Sequence, residues 1–300
     1  MGSILAVLRS VGHSWICSTI ILNGAEDFKP VTAPYDKLYE HFDSPLMRQL
    51  RAEAYGQDIG QHSWVTAEEL LADIPKLKLS PESRLLDLGC GPAGPLTYIS
   101  AQTKCQAVGL DVSANAIAAA RARAASLGLS QQITLRQADL NEPIPFADAR
   151  FHAVVSIDVV LHLRDRAAIF GEVARVLASG GRFLFTDAGV ITGPVSSEEI
   201  QRRAPHGYAQ FVPPGVNEQL LERAGFRLIE TCNRTPNLLK SAAGRLAARE
   251  SRRIELEKLE GSSIFKGQQQ YLETVVALAQ RAALSRIMYL AEPRSNIRLA

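Results

Sequence analysis

The chain has 300 residues, 46% of them hydrophobic, enough to bury a full core as one large domain or as a domain with a helical annex. Its 33 basic and 31 acidic residues nearly cancel, so no whole-chain field gathers nucleic acid or an anionic membrane, and the expected partner is a small molecule. The four cysteines, Cys17, Cys90, Cys105 and Cys232, lie far apart with no C-x-x-C pair; that pattern argues against a zinc site or a small secreted disulfide framework and points to a reducing cytoplasmic setting without a metal.

The first apolar run, residues 3–22, is interrupted by Arg9 and His13. It is too broken for a bilayer span and lacks the basic leader and small-residue cleavage site of a signal peptide. Residues 1–32 are therefore expected as a loosely ordered extension.

Further along, RLLDLGC (84–90) and QAVGLDV (106–112) are short apolar runs ended by turn or charged residues, as buried parallel strands are. A helix-length segment separates them. The pattern repeats with an Ala-rich helix at 114–127, strands at 133–139 and 151–158, a helix at 165–178 stopped by Gly180-Gly181, and a strand at 182–188. This alternation predicts a doubly wound α/β fold, a mostly parallel sheet with helices on both faces. After residue 188 come a Pro/Gly-rich stretch, a short helix at 217–224, strand 226–232, helices at 236–260 and 267–283, and a last strand at 285–291.

Residues 85–95, LLDLGCGPAGP, contain G-x-G-x-x-G as Gly89, Gly91 and Gly94. Such a turn after a strand lets backbone approach a ligand closely. Asp111, at the end of the second strand, is the carboxylate expected on a ribose. Both features suit a nicotinamide dinucleotide and other adenosine compounds alike. Asp87 separates the two: a carboxylate beside the turn would repel a pyrophosphate, whereas S-adenosylmethionine brings a sulfonium and an ammonium.

With LLDLGCGPAGP, VGLDVS, QADLNEPIPF, VVSIDVVLHL and RVLASGGRFLFTD in order, residues 83–190 resemble the class I S-adenosylmethionine-dependent methyltransferases. The resemblance is to the small-molecule branch, which includes the quinone-biosynthesis and glycine/sarcosine methyltransferases. It implies a seven-stranded Rossmann-like sheet, a methyltransferase domain over 83–300 with a helical acceptor-side insertion at about 236–283, and a helical N-terminal cover over 33–82. It further implies that FRLIETC and SRIMYLA form a closing β-hairpin. S-adenosyl-L-methionine is the cofactor implied, with Gly89 and Gly91 under its methionine portion, Asp111 on the ribose and Asp139, with Leu140 beside it, at the adenine; Asp87, Gly94, Val112 and Trp64 complete the expected cofactor-binding set. Two departures, Phe151-His152 and Ser179-Gly180-Gly181, are expected at the sheet edge opposite the ligand.

Asp158, His162 and Asp187 follow strands and are expected at the cofactor edge. His162 and Asp158 are the candidate catalytic residues, His162 being matched to neutral pH. Trp64, with Tyr39 and Tyr55, is expected to offer a π face to the sulfonium; His206 and Tyr208 lie on a loop over the acceptor pocket. The function implied is methyl transfer to a small-molecule acceptor. The alternatives are an NAD(P)-dependent oxidoreductase, a methyltransferase acting on a macromolecule, and a non-catalytic cofactor-binding module. Near-zero charge and the absence of an Asn/Asp-Pro-Pro-aromatic motif after the fourth strand disfavour nucleic acid.

Overall fold

The computed structural model describes residues 39, 41–205 and 208–294, together with the backbone of three short strands, β1 (Arg9–Val11), β2 (Ser14–Ile16) and β3 (Ile20–Ile21). β1 and β2 pair antiparallel inside the stretch expected as an extension. His206 lies outside the described residues.

Two helices, α1 (Pro45–Tyr55) and α2 (Ala67–Asp73), precede the sheet. Ser44 and Thr66 cap them by accepting backbone N–H groups that the first turn leaves without partners. The alternating core follows as β4 (Arg84–Leu88), α3 (Gly94–Thr103), β5 (Gln106–Asp111), α4 (Ala114–Ser126), β6 (Ile133–Gln137), β7 (Phe151–Ile157), α5 (Arg166–Val176) and β8 (Leu177–Ile191). Then come α6 (Ser197–Arg203), β9 (Gln210–Phe211), α7 (Val216–Arg223), β10 (Phe226–Asn233), α8 (Thr235–Ser251), α9 (Arg253–Glu260), α10 (Ser262–Gln280) and β11 (Leu284–Pro293). β9 pairs antiparallel with β3.

The main sheet has seven strands in the order β10-β11-β8-β7-β4-β5-β6. β4, β5, β6, β7 and β8 run parallel, while β11 is antiparallel to both β8 and β10. The doubly wound sheet and its closing hairpin are as the sequence predicts. β4 is central because its residues are apolar toward both faces: Leu85 packs into one hydrophobic cluster with Ile99, Ile117 and Val155, and Leu86 into the other with Phe170, Phe183 and Tyr289. Chain order reverses at β4, which has β5 on one side and β7 on the other. A crevice therefore opens at the carboxyl ends of these strands. At the opposite ends, His152 Nδ1 accepts the Arg84 N–H at 2.9 Å, so the first departure from the family pattern lies away from that crevice.

Several boundaries differ from expectation. The helix expected to 178 ends at Val176 because Leu177 is already extended (φ −75, ψ 133) and pairs with Phe151. β8 thus starts before the glycine pair, and Gly180 takes φ +72 inside it, beside a shift in register. The helix expected over 236–260 breaks at Arg252 (φ −120, ψ 30), and the next one starts earlier, after Gly261 at φ +88. α1 lies against α8 so closely that a Cβ on Gly244 would overlap the Ala54 carbonyl.

Candidate active site

Left-handed backbone drives the turn after β4. Gly89 (φ +74) and Gly91 (φ +53) adopt conformations that side chains disfavour, and the N–H groups of Gly89 and Cys90 both donate to the Leu110 carbonyl, at 2.8 and 2.9 Å. Asp111 closes the arrangement: Oδ2 accepts from Gly91 N at 2.8 Å and Oδ1 from Ser113 N at 2.9 Å. Beside it, Asp87 is 2% exposed and has no ion-pair partner among the described residues. Burial, and then repulsion from Asp111, push its carboxyl up to about 8. A cation placed there would relieve both effects.

These residues line one large cleft with about 1660 Å³ of empty space out to its mouth. Asp87, Gly89, Gly91, Asp111, Val112, Asp139, Leu140, Trp64, Asp158 and His162 all face it. Ten of the eleven residues proposed from sequence are therefore gathered by the fold. Gly94 is the exception: it opens α3 and does not itself line the cleft, and a Cβ there would overlap the Gly60 carbonyl and crowd Gln61 N. Its lack of a side chain admits the close approach of the N-terminal cover.

The candidate catalytic pair lines the cleft in two different settings. Asp158, at φ +60, accepts from Arg286 Nε at 2.7 Å, from the Thr186 hydroxyl at 2.8 Å and from Trp64 N at 3.0 Å. Held by three donors from three different segments, Asp158 ties the Trp64 backbone to β8 and β11. His162 is half-buried, and its imidazole is pushed down to about 4, first by loss of solvation. Its Nδ1 lies 3.2 Å from the Tyr208 carbonyl; a carbonyl only accepts, so that bond keeps the proton on Nδ1. The ring is then neutral at physiological pH. Asp187 does not reach the cleft: it is completely buried, paired with Arg166 and bonded by Asn217 Nδ2 at 2.9 Å.

The aromatic expectations divide. Tyr39 lines the cleft, its hydroxyl 3.4 Å from where a Gly91 Cβ would sit. Tyr55 instead turns its hydroxyl to the Ser63 carbonyl at 2.7 Å. Trp64 lines the cleft, but its ring stacks with Tyr271 (centroids 6.1 Å, 28°) and has the Arg245 guanidinium 5.1 Å from its centroid. The expected sulfonium face is thus occupied by the insertion helices. Tyr208 lines the cleft as expected of its loop, while Arg203, Arg245, Gln268 and Tyr271 were not foreseen. Arg286 was also missed, although a charge inside the apolar run SRIMYLA was a usable signal.

Residues 86–185 match the family described as Methyltransferase domain. That match covers about a third of the chain. Around it, the chain is 30% identical over 161 residues to Methyltransferase GfsG of Streptomyces halstedii, covering 52% of this chain and 56% of that protein. It spans 31–61% of the length of the curated relatives it matches. Among solved structures it is similar in fold to a phosphoethanolamine N-methyltransferase of Haemonchus contortus bound to phosphomonomethylethanolamine and S-adenosylhomocysteine. That likeness has a TM-score of 0.73 at 20% identity, covering 88% of this chain and 61% of that one. It is similar in fold also to the [4+2]-cyclase SpnF, at TM-score 0.69 and 19% identity over 87% of this chain and 98% of that one. The matched residues run from β4 into β8, so the glycine turn, Asp111, Asp139 and His162 all fall within them. Among the described residues no group of three or more His, Cys, Asp or Glu is placed to hold a metal, and no helix is long and apolar enough to cross a membrane.

Proposed function

We propose that the chain is an enzyme that binds S-adenosyl-L-methionine in this cleft and transfers its methyl group to a small molecule, releasing S-adenosylhomocysteine. The observation that carries the reading is Asp87: a buried carboxyl without an ion-pair partner among the described residues, beside a glycine turn and a second acid, is stabilised in its charged form by a ligand with a sulfonium and an ammonium and not by a pyrophosphate. That chemistry disfavours an NAD(P)-dependent oxidoreductase.

Asp87 with the Gly89 and Gly91 backbone would hold the methionine portion, Asp111 and Val112 the ribose, and Asp139 and Leu140 the adenine. The bound cofactor supplies a methyl already activated by positive sulfur. The chain's own residues then have to orient the acceptor and exclude water, which accounts for much of the rate in such a transfer. Asp158 fixes the Trp64 backbone and so shapes the cover. His162, neutral and tethered through Nδ1, presents Nε2 as the accepting nitrogen for a polar hydrogen of the acceptor.

The expected setting is the cytoplasm, supported by free thiols at Cys90, Cys105 and Cys232. The near-balance of 33 basic and 31 acidic residues supports a small-molecule acceptor over nucleic acid. The domain reading is unchanged: an extension over 1–32, a helical cover over 33–82 and the methyltransferase unit over 83–300.

Thermal shift with S-adenosylhomocysteine and with NADH tests the cofactor, and mass spectrometry with labelled S-adenosylmethionine across amines, phenols, carboxylates and quinone precursors tests the transfer. Stabilisation by S-adenosylhomocysteine alone, followed by a labelled product, is the expected result. Stabilisation by NADH alone would sink the reading.

A further inference from the structure

The cleft is acidic where β4, β5 and β6 end, through Asp87, Asp111 and Asp139, and basic where α6 and α8 line it, through Arg203 and Arg245. Among the described residues, the buried arginines Arg51, Arg166, Arg182, Arg249 and Arg286 each have a carboxylate partner. Arg203, 5% exposed, has none. Its Nη1 donates to the Tyr271 hydroxyl at 3.0 Å and its Nη2 to the Ala188 carbonyl at 3.3 Å, while its buried Nε has no partner. Neutral acceptors leave the charge itself unbalanced, and a buried unbalanced charge is costly.

Arg245 adds a second cation, also without a carboxylate partner among the described residues. Its guanidinium lies 5.1 Å from the Trp64 ring centroid, and that of Arg203 lies 5.9 Å from the same ring and 5.3 Å from Tyr271. Two like charges around one indole repel each other unless an anion joins them. The acids at the ends of β7 and β8 do not serve: Asp158 is committed to Arg286 and Asp187 to Arg166.

We infer that the methyl acceptor carries an anionic group, a carboxylate or a phosphate, held by Arg203 and Arg245, with the remainder of the molecule against Trp64 and Tyr271. Guanidinium groups match both anions through paired N–H donors, and the aromatic faces suit a planar or apolar body. The inference rests on the methyltransferase reading only in naming the bound anion as the acceptor.

The test is calorimetric titration of the full chain, loaded with S-adenosylhomocysteine, using benzoate, phenyl phosphate and neutral benzamide. At least one anion is expected to bind about tenfold or more tightly than benzamide, and the tighter anion distinguishes carboxylate from phosphate. Arg245→Met and Arg203→Met should each weaken that anion about tenfold or more, with Arg203→Lys weakening it less and the circular dichroism spectrum unchanged. Benzamide binding as tightly as both anions, binding of neither anion, or anion affinity that survives Arg245→Met in folded protein would overturn the inference. Failure of S-adenosylhomocysteine to bind overturns the methyltransferase reading instead, and the same anion titration of the ligand-free chain then decides the anion site alone.

Discussion

Asp158 and Arg286, 128 residues apart in the chain, meet at 2.7 Å at the floor of the cleft, and the same guanidinium holds Glu69 of the N-terminal cover at 2.7 and 2.9 Å. One arginine on β11 thereby ties the strand after which the candidate catalytic residues sit to the helix that covers them. Removing it leaves two buried carboxylates without a cation, so Arg286→Met is expected to cost about 3–5 kcal/mol of stability in urea unfolding. Adding Glu69→Gln and Asp158→Asn should recover most of the loss. A cost below about 1 kcal/mol for the single change would show that the cluster does not hold the cover.

Asp87 makes the ligand-free protein sensitive to base. Its carboxyl titrates at about 8 in the fold against a reference value of 3.8, so between those values the native state carries the extra proton. Stability from this group is complete below pH 4 and is lost as pH rises toward 8. Asp87→Asn should flatten that slope in thermal melts across pH 5 to 8. A cationic cofactor favours the charged carboxylate, so binding S-adenosylmethionine at pH 7 should release a proton. Calorimetry in buffers of different ionisation enthalpy reads this directly, and heats that do not depend on the buffer would count against the assignment.

Asp111→Ala is expected to reduce cofactor affinity by about 1.5–3 kcal/mol, through loss of charge-assisted hydrogen bonds to the ribose. The variant also removes the acceptors of Gly91 N and Ser113 N, so a drop in melting temperature should accompany the weaker binding. Unchanged affinity by calorimetry would remove Asp111 from the ligand.

The last two glycines of the fingerprint should respond differently. Gly91→Val forces a β-branched residue to φ +53 beside the cleft and is expected to abolish cofactor binding. Gly94→Ala instead pushes against the Gly60 carbonyl; it should cost about 1–3 kcal/mol and expose residues 57–64 to protease. Cofactor affinity should fall less than about tenfold. Equal losses of binding in both variants would restore Gly94 to the ligand site.

His162 titrates at about 4 in the fold, below its reference value of 6.5. Below pH 6.5 the unfolded chain gains a proton that the native imidazole resists, so stability from this group is lost as pH falls from 6.5 toward 4. In single-turnover methyl transfer, the wild type should show no His162 inflection between pH 5 and 9. His162→Ala should lower the rate, by about a hundredfold or more if Nε2 takes the acceptor's proton. An inflection near 6.5 that disappears in the variant would refute the low basicity; an unchanged rate would leave positioning and desolvation as the source of catalysis.

The parallel sheet was legible in the sequence because strands buried on both faces leave mostly apolar runs, and 84–88, 106–111 and 151–157 are such runs. The cofactor end of the cleft was legible for a related reason. Asp87, Gly89, Gly91 and Asp111 sit at strand ends and a tight turn, positions that local backbone geometry dictates. Gly94 carries the same signal, yet what occupies the space of its missing side chain is the backbone of Gly60, which no local pattern specifies. The acceptor end depended on tertiary structure throughout. Arg203, Arg245 and Tyr271 read singly as surface charge or core, and only the return of α8 and α10 over the sheet brings them around Trp64. What Asp158 touches was likewise decided by tertiary structure, because Arg286 reaches it from β11, 128 residues further along the chain.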